Sequence, residues 1–139
     1  MPAEEVYVFD ACAVVALLQG EEGASVASGL LLEESHRCLV HAINACARST
    51  TTFFAGDGEE IADGVREILE GYGFEIVEDL PFSLWKTSGR LKGAWKRVSL
   101  ADCFALALAL ETSATLVTSD HHEMDALAQA KVCPIRFIR

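Results

Sequence analysis

Apolar residues in this chain fall into short blocks, which alternate with longer stretches whose apolar positions recur at helical spacing. The blocks predict five short strands, at 6–9, 37–40, 74–77, 115–118 and 135–138. Helices are predicted between them, at 11–20, 23–34, 58–70, from Pro81 onward, from Ser99 onward and at 121–130. This alternation predicts one α/β domain spanning residues 1–139, a three-layer sandwich around a central, mostly parallel sheet.

The stretch 97–120, RVSLADCFALALALETSATLVTSD, is expected to lie at the centre of this fold. Ser99 followed three residues later by Asp102 resembles a capping box and marks the start of a helix. The helix is almost wholly apolar, so we expect it to be buried. Its large apolar positions are Leu100, Phe104, Leu106, Leu108 and Leu110.

Three aspartates occupy related places along the chain. Asp10 ends the first strand, Asp120 follows the fourth, and Asp102 lies in the first turn of the helix between them. Each can be explained as a helix-capping residue, and Asp120 has Glu123 three residues on, as in a capping box. The carboxyl ends of parallel strands also gather at one edge of a sheet, where ligands bind.

Three carboxylates converging at that edge would repel one another unless a cation lay among them. Oxygen ligands without Cys or His favour Mg²⁺ or Mn²⁺. Such ions activate water and stabilise charge during phosphodiester cleavage. The capping and metal-binding interpretations are compatible, because a helix N-terminus also keeps a ligand carboxylate ionised.

Two blocks of the sequence resemble the acidic motifs of PIN-domain nucleases. VYVFDACAVVALL resembles the first motif, and SLADCFALALALE with ATLVTSD resembles the third and fourth. The chain is most similar to the small toxin ribonucleases of the VapC type. The resemblance implies an endoribonuclease dependent on Mg²⁺ or Mn²⁺, often a homodimer, and held inactive by a cognate antitoxin. It assigns Asp10, Asp102 and Asp120 to the catalytic metal site and Thr118 to a supporting hydroxyl.

The second acidic motif departs from the family pattern. HAINACARS supplies Asn44, which could offer an amide oxygen, but Ala47 stands where the family has glutamate. The missing carboxylate should weaken metal binding and cleavage. An alternative function is therefore a catalytically impaired PIN domain that binds RNA or a protein partner.

Basic residues are concentrated in one short stretch of an otherwise acidic chain. The stretch also contains Trp85 and Trp95, and its cations are Lys86, Arg90, Lys92, Lys96 and Arg97. They could form a solvated helix face. Alternatively, these cations could contact RNA phosphates beside the metal edge, with Lys96 and Arg97 as the substrate-binding candidates, while Trp85 or Trp95 stacks on a base.

Composition narrows the functional classes further. A net charge of −10 argues against strong non-specific binding to nucleic acid. Five cysteines without a CxxC pair favour reduced thiols and a cytoplasmic location. No apolar run reaches the roughly 18 residues that span a membrane. His121 and His122 lack the spacing of a zinc site.

Two other classes of protein fit the acidic motifs poorly. A phosphatase of the haloacid-dehalogenase kind needs a second aspartate where this chain has Cys12. A receiver domain needs a phosphoacceptor at the end of its third strand, for which 77–79 is a weak match.

Apolar helix faces at 26–32 and 61–69 predict association with a second copy and with an antitoxin helix.

Overall fold

A computed structural model describes residues 3–50 and 63–139. The strands are β1 (Glu5–Phe9), β2 (His36–His41), β3 (Phe74–Val77), β4 (Thr115–Thr118) and β5 (Ile135–Phe137). The helices are α1 (Ala11–Gln19), α2 (Ala24–Leu32), α3 (Ala42–Asn44), α4 (Val65–Tyr72), α5 (Phe82–Ala94), α6 (Leu100–Glu111) and α7 (His121–Gln129). A π-helical segment, Ala45–Thr50, continues from α3.

The five strands form one parallel sheet in the order β3-β2-β1-β4-β5. The predicted α/β fold with a mostly parallel sheet is therefore confirmed. Chain order reverses between β1 and β4, since β2 lies on one side of β1 and β4 on the other. The crevice at such a switch point is where open α/β sheets bind ligands. An aspartate follows each strand there: Asp10 comes directly after β1, and Asp120 comes two residues after the end of β4.

Two hydrophobic cores cover the two faces of the sheet, which confirms the three-layer arrangement. Successive side chains of a strand point to opposite faces, so Val8 belongs to one core and Phe9 to the other. The core with Val8 packs against α5, α6 and α7. The core with Phe9 packs against α1, α2 and α4. Among the described residues, no helix is both long enough and apolar enough to span a membrane.

Helix α6 is less completely buried than the sequence predicts. Residues 105–109 are buried, but Leu100 is 54% exposed and Leu110 is 39% exposed. The helix lies in the outer layer, packed on α5 and the sheet, so positions at its two ends reach solvent. The expectation that all its leucines are buried is wrong at these two positions.

Several helices and strands begin or end at other residues than the sequence predicts. Helix α2 ends at Leu32 and not at Glu34, and β2 gains a residue at each end. Helix α4 runs over Val65–Tyr72, while the predicted helix start at Gly58 and the position Ile61 lie outside the described residues.

Gly23 is expected to resist substitution by alanine. It adopts φ +97° before α2, and an added Cβ would lie 2.7 Å from the backbone oxygen of Ile138. Left-handed strain and the clash should together lower the free energy of unfolding by about 2–4 kcal/mol. Urea denaturation measures this change.

The matched control is Gly29→Ala, inside α2, where an added Cβ meets nothing within 4 Å. It should raise stability by about 0.5–1 kcal/mol. Equal effects of the two substitutions would contradict the steric explanation.

Candidate functional site

Asp10 joins the end of β1 to the start of α1. Its carboxylate Oδ1 accepts a hydrogen bond from the backbone N–H of Ala13 at 2.9 Å, which caps the helix. Its own N–H donates to the carbonyl of Val117 in β4 at 3.0 Å. The side chain is completely buried. Asp10 is thus anchored to both strands at the switch point.

Asp102 lies in the first turn of α6, where Ser99 is the N-cap. The Ser99 hydroxyl oxygen accepts the N–H of Asp102 at 3.1 Å, as the sequence predicts. The Asp102 side chain is buried, with 8% of its surface exposed. A carboxylate in this position gains from the helix dipole but loses most of its hydration.

Asp120 caps α7 after β4. Its Oδ1 accepts the N–H of Glu123 at 3.3 Å, while its own N–H donates to the Thr118 hydroxyl oxygen at 3.0 Å. In a complete capping box, the Asp120 N–H would donate to the Glu123 carboxylate. Here the same N–H already donates to Thr118. The buried Thr118 hydroxyl holds the backbone from which the Asp120 side chain projects.

Three carboxyl groups form a compact set, named here the acidic cluster: Asp102, Asp120 and Glu123. One oxygen atom of each lies within 4.8 Å of the others. Burial raises the pKa of Asp102 to about 8, helped by a side-chain hydrogen bond with Glu123 and by the negative charge of Asp10. The ionised form of Asp102 is therefore disfavoured without a cation, and a divalent cation would stabilise it.

The structure brings the three predicted aspartates to one edge of the sheet, but not all of them belong to the acidic cluster. Asp102 and Asp120 belong to the acidic cluster, and Asp10 lies outside this set while its charge still acts on Asp102. Glu123 was not predicted as a site residue, because its position three residues after Asp120 was explained as part of a capping box. The same spacing also places the two carboxylates on one face of the helix, and this was the sequence signal that could have identified Glu123.

Asn44 is a buried polar residue at the C-terminal end of α3. It is completely buried, and neither atom of its amide group has a hydrogen-bond partner in the described part of the chain. Helix α3 contacts α6, the helix that carries Asp102. Ala47 is exposed within the π-helical segment, which packs against α1. The predicted roles of both positions remain predictions.

A cavity of about 440 Å³ lies next to the acidic cluster. Glu123 belongs to both. Its other lining residues include Trp95, Lys96, Arg97, Val98 and His122. Trp85 is not among the lining residues; it is 53% exposed and in edge contact with Phe82.

The PIN domain family model matches residues 7–129 of the chain. The chain therefore belongs to the PIN domain family, as its acidic motifs predicted. No curated protein sequence matches it.

Solved structures share the fold at low sequence identity. VapBC-1 from nontypeable Haemophilus influenzae is 14% identical at a TM-score of 0.71, covering 96% of this chain and 98% of that one. A toxin-antitoxin complex from Klebsiella pneumoniae is 16% identical at 0.71, with the same coverage. The structure of VapBC2 from Rickettsia felis, bound to a DNA fragment from the VapBC2 promoter, is 14% identical at a TM-score of 0.72. The match covers 95% of this chain and 98% of that one.

Proposed function

We propose that this chain is a VapC-type toxin, an endoribonuclease that uses Mg²⁺ or Mn²⁺ to cleave RNA phosphodiester bonds. The observation that carries the proposal is the acidic cluster at the β1/β4 switch point, where this fold class binds ligands. Membership of the PIN domain family supports it. The fold shared with toxin-antitoxin complexes supports the toxin assignment.

The donor set at the site fits a hard divalent cation. Carboxylate oxygens of Asp102, Asp120 and Glu123 would hold it, with Asp10 and the Asn44 amide oxygen as further candidates. When bound, the ion would lower the pKa of a water molecule and offset charge on the scissile phosphate. The Thr118 hydroxyl would orient Asp120 by accepting its backbone N–H. The helix dipoles at the first turns of α6 and α7 would favour ionised carboxylates there.

The partners we infer are RNA, a second copy of the chain and an antitoxin protein. Lys96 and Arg97, both exposed beside the acidic cluster, would contact the RNA backbone. Helix α2 exposes Leu32, 79% accessible, and α4 exposes Ile68 and Tyr72. These apolar side chains support association through the helices that the sequence predicted, although residue 61 lies outside the described part.

A catalytically impaired PIN domain that binds RNA or protein is the second candidate function. The alanine at position 47 favours it, because a methyl group cannot replace a carboxylate ligand. Glu123 weakens this alternative, since it supplies a further carboxylate to the acidic cluster.

Ala47→Glu tests the proposed function and separates the two candidates. A carboxylate at position 47 should raise Mn²⁺-dependent cleavage of RNA by about 10-fold or more, since metal-site carboxylates and their supporting groups are typically worth 10–100-fold. Single-turnover cleavage of a labelled RNA measures the rate. Ala47→Gln has nearly the same size without the charge and should give no gain.

Adding Asp102→Asn to Ala47→Glu should abolish the gain. An unchanged rate in a folded Ala47→Glu protein that binds Mn²⁺ would show that position 47 does not face the metal. No metal-dependent cleavage in either protein would contradict the nuclease proposal itself.

A further inference from the structure

We propose that the 440 Å³ cavity beside the acidic cluster is a nucleobase-binding subsite for single-stranded RNA, in which one unpaired base stacks on Trp95. Phosphates flanking that base would lie against Lys96 and Arg97. This inference rests on the proposed ribonuclease function and extends it, because it identifies the part of the site that would select single-stranded over double-stranded RNA.

The position of the cavity connects base binding to cleavage. Glu123 lines the cavity and also belongs to the acidic cluster, so a nucleotide held there lies next to the proposed metal site. The volume falls in the 300–1,000 Å³ range of small-ligand pockets. Trp95 is half-buried, and three smaller apolar residues also line the cavity: Ala94, Val98 and Ala126. An aromatic face in a partly apolar cavity suits base stacking.

The loop that carries the binding groups is held in place before any ligand arrives. The Lys92 ammonium donates to the carbonyls of Lys96 and Val98, at 2.9 and 2.7 Å. The backbone N–H of Trp95 donates to the Leu91 carbonyl at 2.7 Å, and the backbone N–H of Val98 donates to the Trp95 carbonyl at 3.0 Å. Pre-organisation of this kind lowers the entropy lost on binding.

The charges at the cavity match an anionic strand. Lys96 and Arg97 are exposed and form no ion pair within residues 3–50 and 63–139. In contrast, Arg37, Arg66 and Arg139 each pair with a glutamate. Two uncompensated cations in a chain of net charge −10 provide a local attraction for phosphates.

Stacking inside the cavity requires a base that is free of its complementary strand. Sequence-specific proteins usually recognise RNA through such unpaired bases, splayed onto aromatic side chains. The combination of an aromatic wall with neighbouring cations therefore favours single-stranded RNA over a double-stranded substrate. An acidic peptide could satisfy the cations but would leave the indole without a base to stack on.

The two tryptophans of the chain provide a direct test. Trp85→Phe leaves Trp95 as the single tryptophan, and Trp95→Phe leaves Trp85 as the matched control. Each protein is titrated with a random-sequence hexaribonucleotide in EDTA, which measures binding without cleavage. We expect saturable quenching of fluorescence in Trp85→Phe and little change in Trp95→Phe. Trp95→Leu should weaken hexanucleotide binding about 10-fold.

Salt dependence tests the two cations. Each phosphate contact to a single strand contributes about 0.7 to the slope of log affinity against log salt concentration. Changing both Lys96 and Arg97 to Gln should reduce that slope by about 1.4. The control pair, Lys86→Gln with Arg90→Gln, lies on the preceding helix α5 and should leave the slope unchanged.

Absence of quenching in Trp85→Phe would overturn the subsite, as would equal quenching by a hexaglutamate peptide. The first result needs no variant at position 95, so it remains decisive if Trp95→Leu does not fold. Cleavage with Mn²⁺ is assayed separately. Quenching without cleavage would contradict the nuclease but keep the subsite, whereas cleavage without quenching would contradict the subsite alone.

Discussion

Replacing Asp102 by asparagine is expected to lower Mn²⁺-dependent RNA cleavage by at least about 10²-fold, the usual effect of losing a positioned catalytic group. Asp102 is buried, and one of its oxygens lies within 4.8 Å of Asp120 and Glu123 oxygens, so the three side chains are close enough to share one cation. The amide keeps the shape of the side chain but removes the charge that would hold a cation. Single-turnover cleavage measures the loss, and titration calorimetry measures the affinity for Mn²⁺.

Glu111→Gln is the matched control for this change. It removes one negative charge from the exposed C-terminal end of the same helix, α6, about 13 Å from Asp102 along the axis. Its cleavage rate should equal that of the unchanged protein. An Asp102→Asn protein that is folded and cleaves RNA at the normal rate would exclude Asp102 from the site.

The metal-free protein is expected to lose stability as the pH rises from about 4 to about 8. The pKa of Asp102 is about 8 in the folded protein, against about 4 for an unperturbed aspartate. Between these values the unfolded chain releases the proton that the folded protein retains, so raising the pH favours unfolding. The total effect is several kcal/mol, since each tenfold change in acidity corresponds to about 1.4 kcal/mol.

Urea denaturation in EDTA at pH 5 and pH 8 measures this effect. Asp102→Asn should have a smaller difference between the two pH values and should be more stable than the unchanged protein at pH 8. Adding Mg²⁺ at pH 8 should stabilise the unchanged protein, because the cation favours the ionised cluster. If Asp102→Asn and the unchanged protein depend on pH in the same way, the charge of Asp102 is not the cause.

The local pattern of residues determined the elements and much of the site. Short apolar blocks specified the strands because the central strands β1, β2 and β4 are covered on both faces by helices. Ser99 and Asp120 specified helix starts because capping is a contact between residues three apart. The acidic motifs identified the family, and the parallel sheet then required Asp10 and Asp120 to lie at one edge.

The tertiary structure decided which side chains meet. Glu123 joins Asp102 because α6 and α7 both begin at the same edge of the sheet, and the Thr118 hydroxyl already occupies the Asp120 N–H. The cavity at Trp95 forms between the loop after α5 and the first turns of α7. Leu100 and Leu110 are exposed because α6 lies in an outer layer. These features depend on contacts between residues distant in sequence, which helical and strand periodicity do not encode.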